Sequence, residues 1–164
     1  MATNTAIFNP ANHEIVNDIR KELRLQGHYL TGALEASLIE HEISENGGVT
    51  LTAEALGYLE DLEKGIPADQ INIAAKMDEM VRYVNLRMGY FGKKAQQVAY
   101  LILRKQRQEG NPTSGSYAFS QNGFRTEAVE KTFDQNQPKY IDMIDVAAIG
   151  SMDDSFTQIK SGTV

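Results

Sequence analysis

The chain has no cysteine and no tryptophan. Without a thiol, disulfide staples and thiolate chemistry are excluded. Long apolar runs are also missing. The longest, such as 98–103, span only a few residues, well short of the roughly 18 that a membrane-crossing helix needs. Met1 to Asn12 holds neither a basic leader nor an apolar core segment, so no secretion signal is expected there. Positive charge is in short supply: 16 Lys and Arg face 22 Asp and Glu, for a formal net charge of -6. That balance disfavours a general nucleic-acid coat or a binder of anionic membranes, while leaving room for a local basic patch. No internal repeat is present.

Catalytic signatures are equally scarce. The three histidines, His13, His28 and His41, are widely spaced, and none forms a ligand-spaced pair. The stretch from His41 to Glu45 opens like a zinc-protease motif but lacks the second histidine that would hold a metal from the next helical turn. The glycines fall at turns and helix ends, and none builds a phosphate-cradling loop followed by lysine and a hydroxyl, or a dinucleotide fingerprint. Asp153 and Asp154 read as solvated carboxylates, and Glu60, Asp61 and Glu63 as a polar face rather than an acid/base pair. The expectation is a non-enzyme with no cofactor and no metal.

What the sequence does hold is enough for one domain. At 164 residues, with 41% hydrophobic and 23% charged residues, it fits a single soluble core. We read residues 1–12 as a flexible N-terminal arm, 13–150 as the domain and 151–164 as a loose tail. Asn12 is expected to cap a first helix to about Gln26, with Ile15, Ile19 and Leu23 recurring every four residues. Leu38–Ile43 and the alternating Val49, Leu51 and Ala53, separated by Gly47-Gly48, predict a β-hairpin. Residues 56–63 fit strand or helix. Asp69 is expected to cap a helix over Ile71–Met88, and Ala95, Val98, Ala99, Ile102 and Leu103 mark another over Lys93–Gln108. Pro138 opens a final amphipathic stretch. The sum is an α+β fold: three to four helices packed on a small, mainly antiparallel β-sheet.

Two segments stand out as candidate sites. Arg82, Arg87, Lys93, Lys94, Arg104, Lys105 and Arg107 form a basic segment with no acid between its ends. The remainder of the chain then carries nine basic and 22 acidic residues. Such a segment can contact DNA phosphates, meet an acidic surface of a neighbouring subunit, or form a solvated helix face. The second is the glycine- and serine-rich loop from Gly110 to Gly123. Tyr117 and Phe119 make it either a docking loop for a neighbour or a hairpin with two core-facing aromatics.

The order of segments resembles a known family. An N-terminal helix leads into Gly27-His28-Tyr29-Leu30-Thr31-Gly32-Ala33-Leu34-Glu35-Ala36-Ser37-Leu38, then a strand pair, then Ala55-Leu56-Gly57-Tyr58-Leu59-Glu60-Asp61-Leu62-Glu63-Lys64-Gly65, then long helices. This resembles the head–tail connector and tail-completion (neck) proteins of tailed bacteriophages over roughly Ile15 to Gln108. There, a threonine-glycine-x-leucine-x-x-serine turn, matched by Thr31, Gly32, Leu34 and Ser37, precedes the first strand. A tyrosine near an acid and a glycine, matched by Tyr58, Glu60 and Gly65, marks a later one. Here Asp61-Leu62-Glu63-Lys64 lengthens the path from tyrosine to glycine. The resemblance implies a virion structural protein, made in the host cytoplasm, forming a homo-oligomeric ring at the portal–tail junction. Its partners would be the portal and neighbouring neck or tail-tube proteins, with non-specific contact to packaged DNA, no membrane and no catalytic residues. The alternative is a DNA-binding accessory protein using residues 82–107.

Overall fold

A computed structural model describes residues 5–28, 32–45, 48–55 and 57–161. The first helix, α1, runs Thr5–Leu25, and the short α2 runs Ala33–Ser37. The strands β1 (Ile39–Glu45) and β2 (Gly48–Glu54) follow, then the helices α3 (Tyr58–Lys64), α4 (Ile73–Met88), α5 (Gly92–Glu109) and α6 (Ala128–Ser161). Single 3-10 turns sit at Ala68–Gln70 and Ser114–Phe119.

The architecture is mainly helical, which corrects the expected α+β sheet fold. Among the described residues the strands are confined to one antiparallel hairpin, with Ile39 opposite Glu54 and His41 opposite Thr52. Two strands offer too narrow a face to carry a layer of helices. The helices therefore bury their apolar stripes against one another: α1 lies along α6, α4 pairs with α5, and the hairpin leans on α1. The loop after α5 holds no strand among its described residues. Of residues 56–63, open between strand and helix, Leu56 lies outside the described residues and the stretch from Tyr58 forms α3.

Two cores result. In the first, Ile15, Val16, Ile19 and Leu23 of α1 meet Leu34, Leu38, Ala128 and Tyr140. The four α1 residues recur at helical spacing, so they share one face, and a fully buried side chain of this type contributes about 1.5–3 kcal/mol. In the second, Val84 of α4 closes on Ala95 and Ala99 of α5, flanked by half-buried Met80, Val98 and Ile102. Alanines at the contact let these two helices approach closely.

Helix ends depart from expectation in instructive ways. Asn12 lies inside α1 and is buried, and no arm extends to residue 12, because α1 begins at Thr5. Pro10 sits exposed in the helix, where its missing N–H removes one backbone bond on the solvent side. Residues 1–4, and with them the rest of the expected arm, lie outside the described residues. Asn72, not Asp69, caps α4, its Oδ1 accepting from Ala75 N at 3.1 Å. Pro138 lies within α6 rather than at its start, and the expected loose tail is helical through Ser161. A helix of that length spans about 50 Å.

A clamp joins the two cores. Ile66 and Asn111 exchange backbone hydrogen bonds of 2.7 and 2.8 Å. The Glu63 carboxylate caps α6, accepting from Val129 N and Glu130 N at 2.9 Å each. The Glu127 amide adds a bond to Glu63 O at 3.0 Å. The loop after α5 returns to the end of α1, where Gln121 N donates to Leu25 O at 2.7 Å. Gly27, at φ +75°, makes this return possible: a Cβ there would lie 2.4 Å from the Phe119 carbonyl oxygen.

Candidate functional site

Where the clamp holds the α4–α5 hairpin beside the end of α1, an open groove of about 890 Å³ remains. Its floor is apolar. Leu86 of α4, Leu101 of α5 and Phe119 of the loop are 56%, 59% and 52% exposed, with half-buried Met80 and Ile102 beneath. Its rim is basic: Arg20, Arg24, Arg82, Arg87, Lys105 and Arg125 line it, against the acids Glu35 and Glu79. Arg24 is neutralised by Glu35. Arg82 and Arg87 have no ion-pair partner among the described residues.

The basic segment divides in two. Arg82, Arg87 and Lys105 line the groove, whereas Lys93, Lys94, Arg104 and Arg107 do not. All seven side chains are exposed, and those of α5 lie opposite the buried Ala95, Ala99 and Leu103. Lys94 Nζ stands 3.9 Å over the Tyr90 ring. The segment is less uniformly cationic than its sequence reads. Glu109, two residues past Arg107, turns back to pair with Lys105. That ammonium, with the Ser114 amide and hydroxyl, pulls the Glu109 carboxyl down to about 2.

Of the candidate docking loop, Phe119 reaches the groove, while Tyr117 is exposed outside its lining. Both rings are exposed, so neither packs into a core. A reciprocal bond set between Thr113 and Ser116 holds the loop, with Thr113 N donating to Ser116 Oγ at 3.2 Å.

The histidines do not converge. His13 is exposed and lies 3.1 Å from Glu40 Oε1. His41 is on β1. His28 is half-buried, its Nε2 3.1 Å from Arg125 O. Burial, reinforced by the Arg125 charge, drives its pKa down to about 4. It is a neutral structural group at pH 7. No cluster of three metal-ligating side chains occurs among the described residues. Of the acids at 60–63, Glu63 caps α6 and Glu60 pairs with Lys64 at 2.7 Å.

A polar hub behind the groove was not apparent in the sequence. Glu22 is 6% exposed, and its Oε1 accepts from Gln26 Nε2 (3.0 Å), Asn122 Nδ2 (2.8 Å) and Lys131 Nζ (3.0 Å). Burial alone would raise this carboxyl's pKa, but the bonds from Gln26, Lys131 and Asn122 outweigh it and hold the pKa below its ordinary value. Lys131 also covers the Phe124 ring at 3.4 Å. The hub locks α1, the loop and α6 into one arrangement.

The motifs that carry the family resemblance fall as follows. Gly32, at φ 73°, precedes α2; Leu34 is buried; and Ser37 Oγ donates to Leu34 O at 2.7 Å. Thr31 and Gly47 lie outside the described residues. Tyr58 opens a helix, where the family pattern places a strand.

A second surface also escaped the sequence reading. The far half of α6 exposes Val146, Ile149, Met152, Phe156 and Ile159, each at least 60% accessible. No helix among the described residues is long and apolar enough to cross a membrane. No family model, no curated protein and no solved structure matches the chain.

Proposed function

We propose that this protein is a structural assembly subunit, forming an oligomeric ring at the portal–tail junction of a tailed phage. The observation that carries the assembly role is the apolar surface left open on α6 and in the groove. Isolated exposed apolar residues are ordinary, but a stripe at helical spacing marks a surface that meets another protein. The position in a virion rests on the segment order: an N-terminal helix, the Gly32–Ser37 turn, a hairpin, and the Tyr58–Gly65 segment before long helices. The helical form of Tyr58–Lys64 departs from that pattern. Peptide mass spectrometry of purified particles, with electron microscopy of the isolated chain, tests the reading. The chain is expected among particle proteins and as closed rings; its absence from particles would contradict the placement.

A second reading, a DNA-binding accessory role, is favoured by one observation: all seven basic side chains of residues 82–107 reach solvent on one helical hairpin. Its signature is duplex binding that weakens steeply with salt. Charge reversal at Lys93, Lys94, Arg104 and Lys105 would abolish that binding, and no retention of duplex at low salt would remove this reading.

A further inference from the structure

We infer that the groove of one copy receives the C-terminal half of α6 from a second copy, so that subunits join head to tail. The inference rests on the proposed ring-forming role and names the contact that would build the ring.

Chemistry and placement both support it. Ile149, Met152, Phe156 and Ile159 follow one another at steps of three, four and three residues, so they share one face of α6. They are 60%, 64%, 60% and 64% exposed. Between Ile141 and Ser161 the helix carries four aspartates, at 142, 145, 153 and 154, and one lysine, Lys160. The groove offers the complement: an apolar floor of Leu86, Leu101 and Phe119 under a rim where Arg82 and Arg87 have no ion-pair partner among the described residues. An apolar helix face flanked by acids fits an apolar groove flanked by arginines.

The two surfaces cannot meet within one copy. Lys131 pairs with Glu22, and Lys139 pairs with Glu14 and with Asp18 at 2.8 Å, so α6 runs antiparallel to α1. Continuing that register places residues after about 150 beyond Thr5, the first described residue of α1. The groove lies at the other end of α1, beside Arg24, Gly27 and His28. The ends of α1 are about 30 Å apart. A stripe at one end and its complement at the other make a heterologous contact, which closes into a ring when the rotation per subunit permits.

The test uses the full chain and two variants at exposed positions. The stripe variant is Met152→Asp with Phe156→Asp; the groove variant is Arg82→Glu with Arg87→Glu. Circular dichroism and thermal unfolding verify that each folds as wild type. In sedimentation velocity, each variant alone is expected to raise the midpoint concentration of self-assembly by roughly a hundredfold. Mixed together, they should form a species of two copies that stops there, because each supplies the surface the other lacks. Wild-type assembly unaffected by either variant would overturn the inference while leaving the ring reading intact. Loss of assembly in the stripe variant alone, with the groove variant still pairing with itself and no mixed two-copy species, would mean stripe-to-stripe pairing and would also overturn it. A wild-type chain that stays single at every concentration would remove both.

Discussion

Replacing Glu22 by leucine perturbs the arrangement of α1 and α6 at its most sensitive point. The carboxylate and Lys131 form a pair whose side chains are only 7% and 13% exposed. Removing the acid leaves the Lys131 ammonium largely shielded from water, and the Asn122 and Gln26 amides lose their shared acceptor. Breaking one side of such a pair typically costs about 3–5 kcal/mol. For a chain of this size that lowers Tm by roughly 6–20 °C. Urea unfolding followed by circular dichroism reads the loss as a lower midpoint at unchanged slope. Leucine at 22 combined with methionine at Lys131 should recover part of the loss, since an apolar pair of similar volume avoids the stranded charge. A Glu22→Leu chain within about 0.5 kcal/mol of wild type, the scatter of neutral surface changes, would refute the view that this hub sets the helix arrangement.

Other outcomes follow from the same structure. His28 has a folded pKa of about 4 against an ordinary 6.5, so its contribution to stability is complete above pH 6.5 and lost as pH falls toward 4. Discounted for its partial exposure, the loss is about 2 kcal/mol, and a His28→Gln chain should show a correspondingly shallower fall in urea midpoint between pH 7 and pH 4.5. Gly27→Ala places a methyl against the Phe119 carbonyl at positive φ and should cost about 2 kcal/mol or more in urea unfolding, because backbone must move on both sides. Glu63→Ala removes the cap of α6 and should lower stability by about 1 kcal/mol, with faster amide exchange confined to Val129 and Glu130 and their neighbours. Lys105→Ala, by contrast, breaks only an exposed pair and should leave thermal unfolding unchanged.

The parts of the fold legible in the sequence were those governed by local periodicity. Ile15, Ile19 and Leu23, and Ala95 and Ala99, announced buried faces of α1 and α5 that the structure retains. The hairpin was legible too, from the alternation after Gly48. The overall class was not, because one real hairpin reads as the start of a larger sheet, while the pairing of α1 with α6 across more than a hundred residues leaves no local mark. Pro10 and Pro138 are tolerated inside helices for one reason: each lies on the solvent side of a helix whose other face is packed, so tertiary contacts outweigh one lost backbone bond. For the candidate site, the seven basic residues were visible as a charge run, but not the division that puts Arg82, Arg87 and Lys105 in the groove and the rest outside it. The stripe at Ile149, Met152, Phe156 and Ile159 was present as spacing, yet residues 151–164 read as a loose tail. Glu22 carried no signal, since a lone glutamate in an amphipathic helix is ordinarily solvated.

Native mass spectrometry of the wild-type chain, from low micromolar to millimolar concentration, puts the assembly claim to its most direct trial. A single dominant closed species with a fixed number of copies, growing in at the expense of the monomer, is the expected result. A spectrum holding only the 164-residue monomer across that whole range would contradict the account.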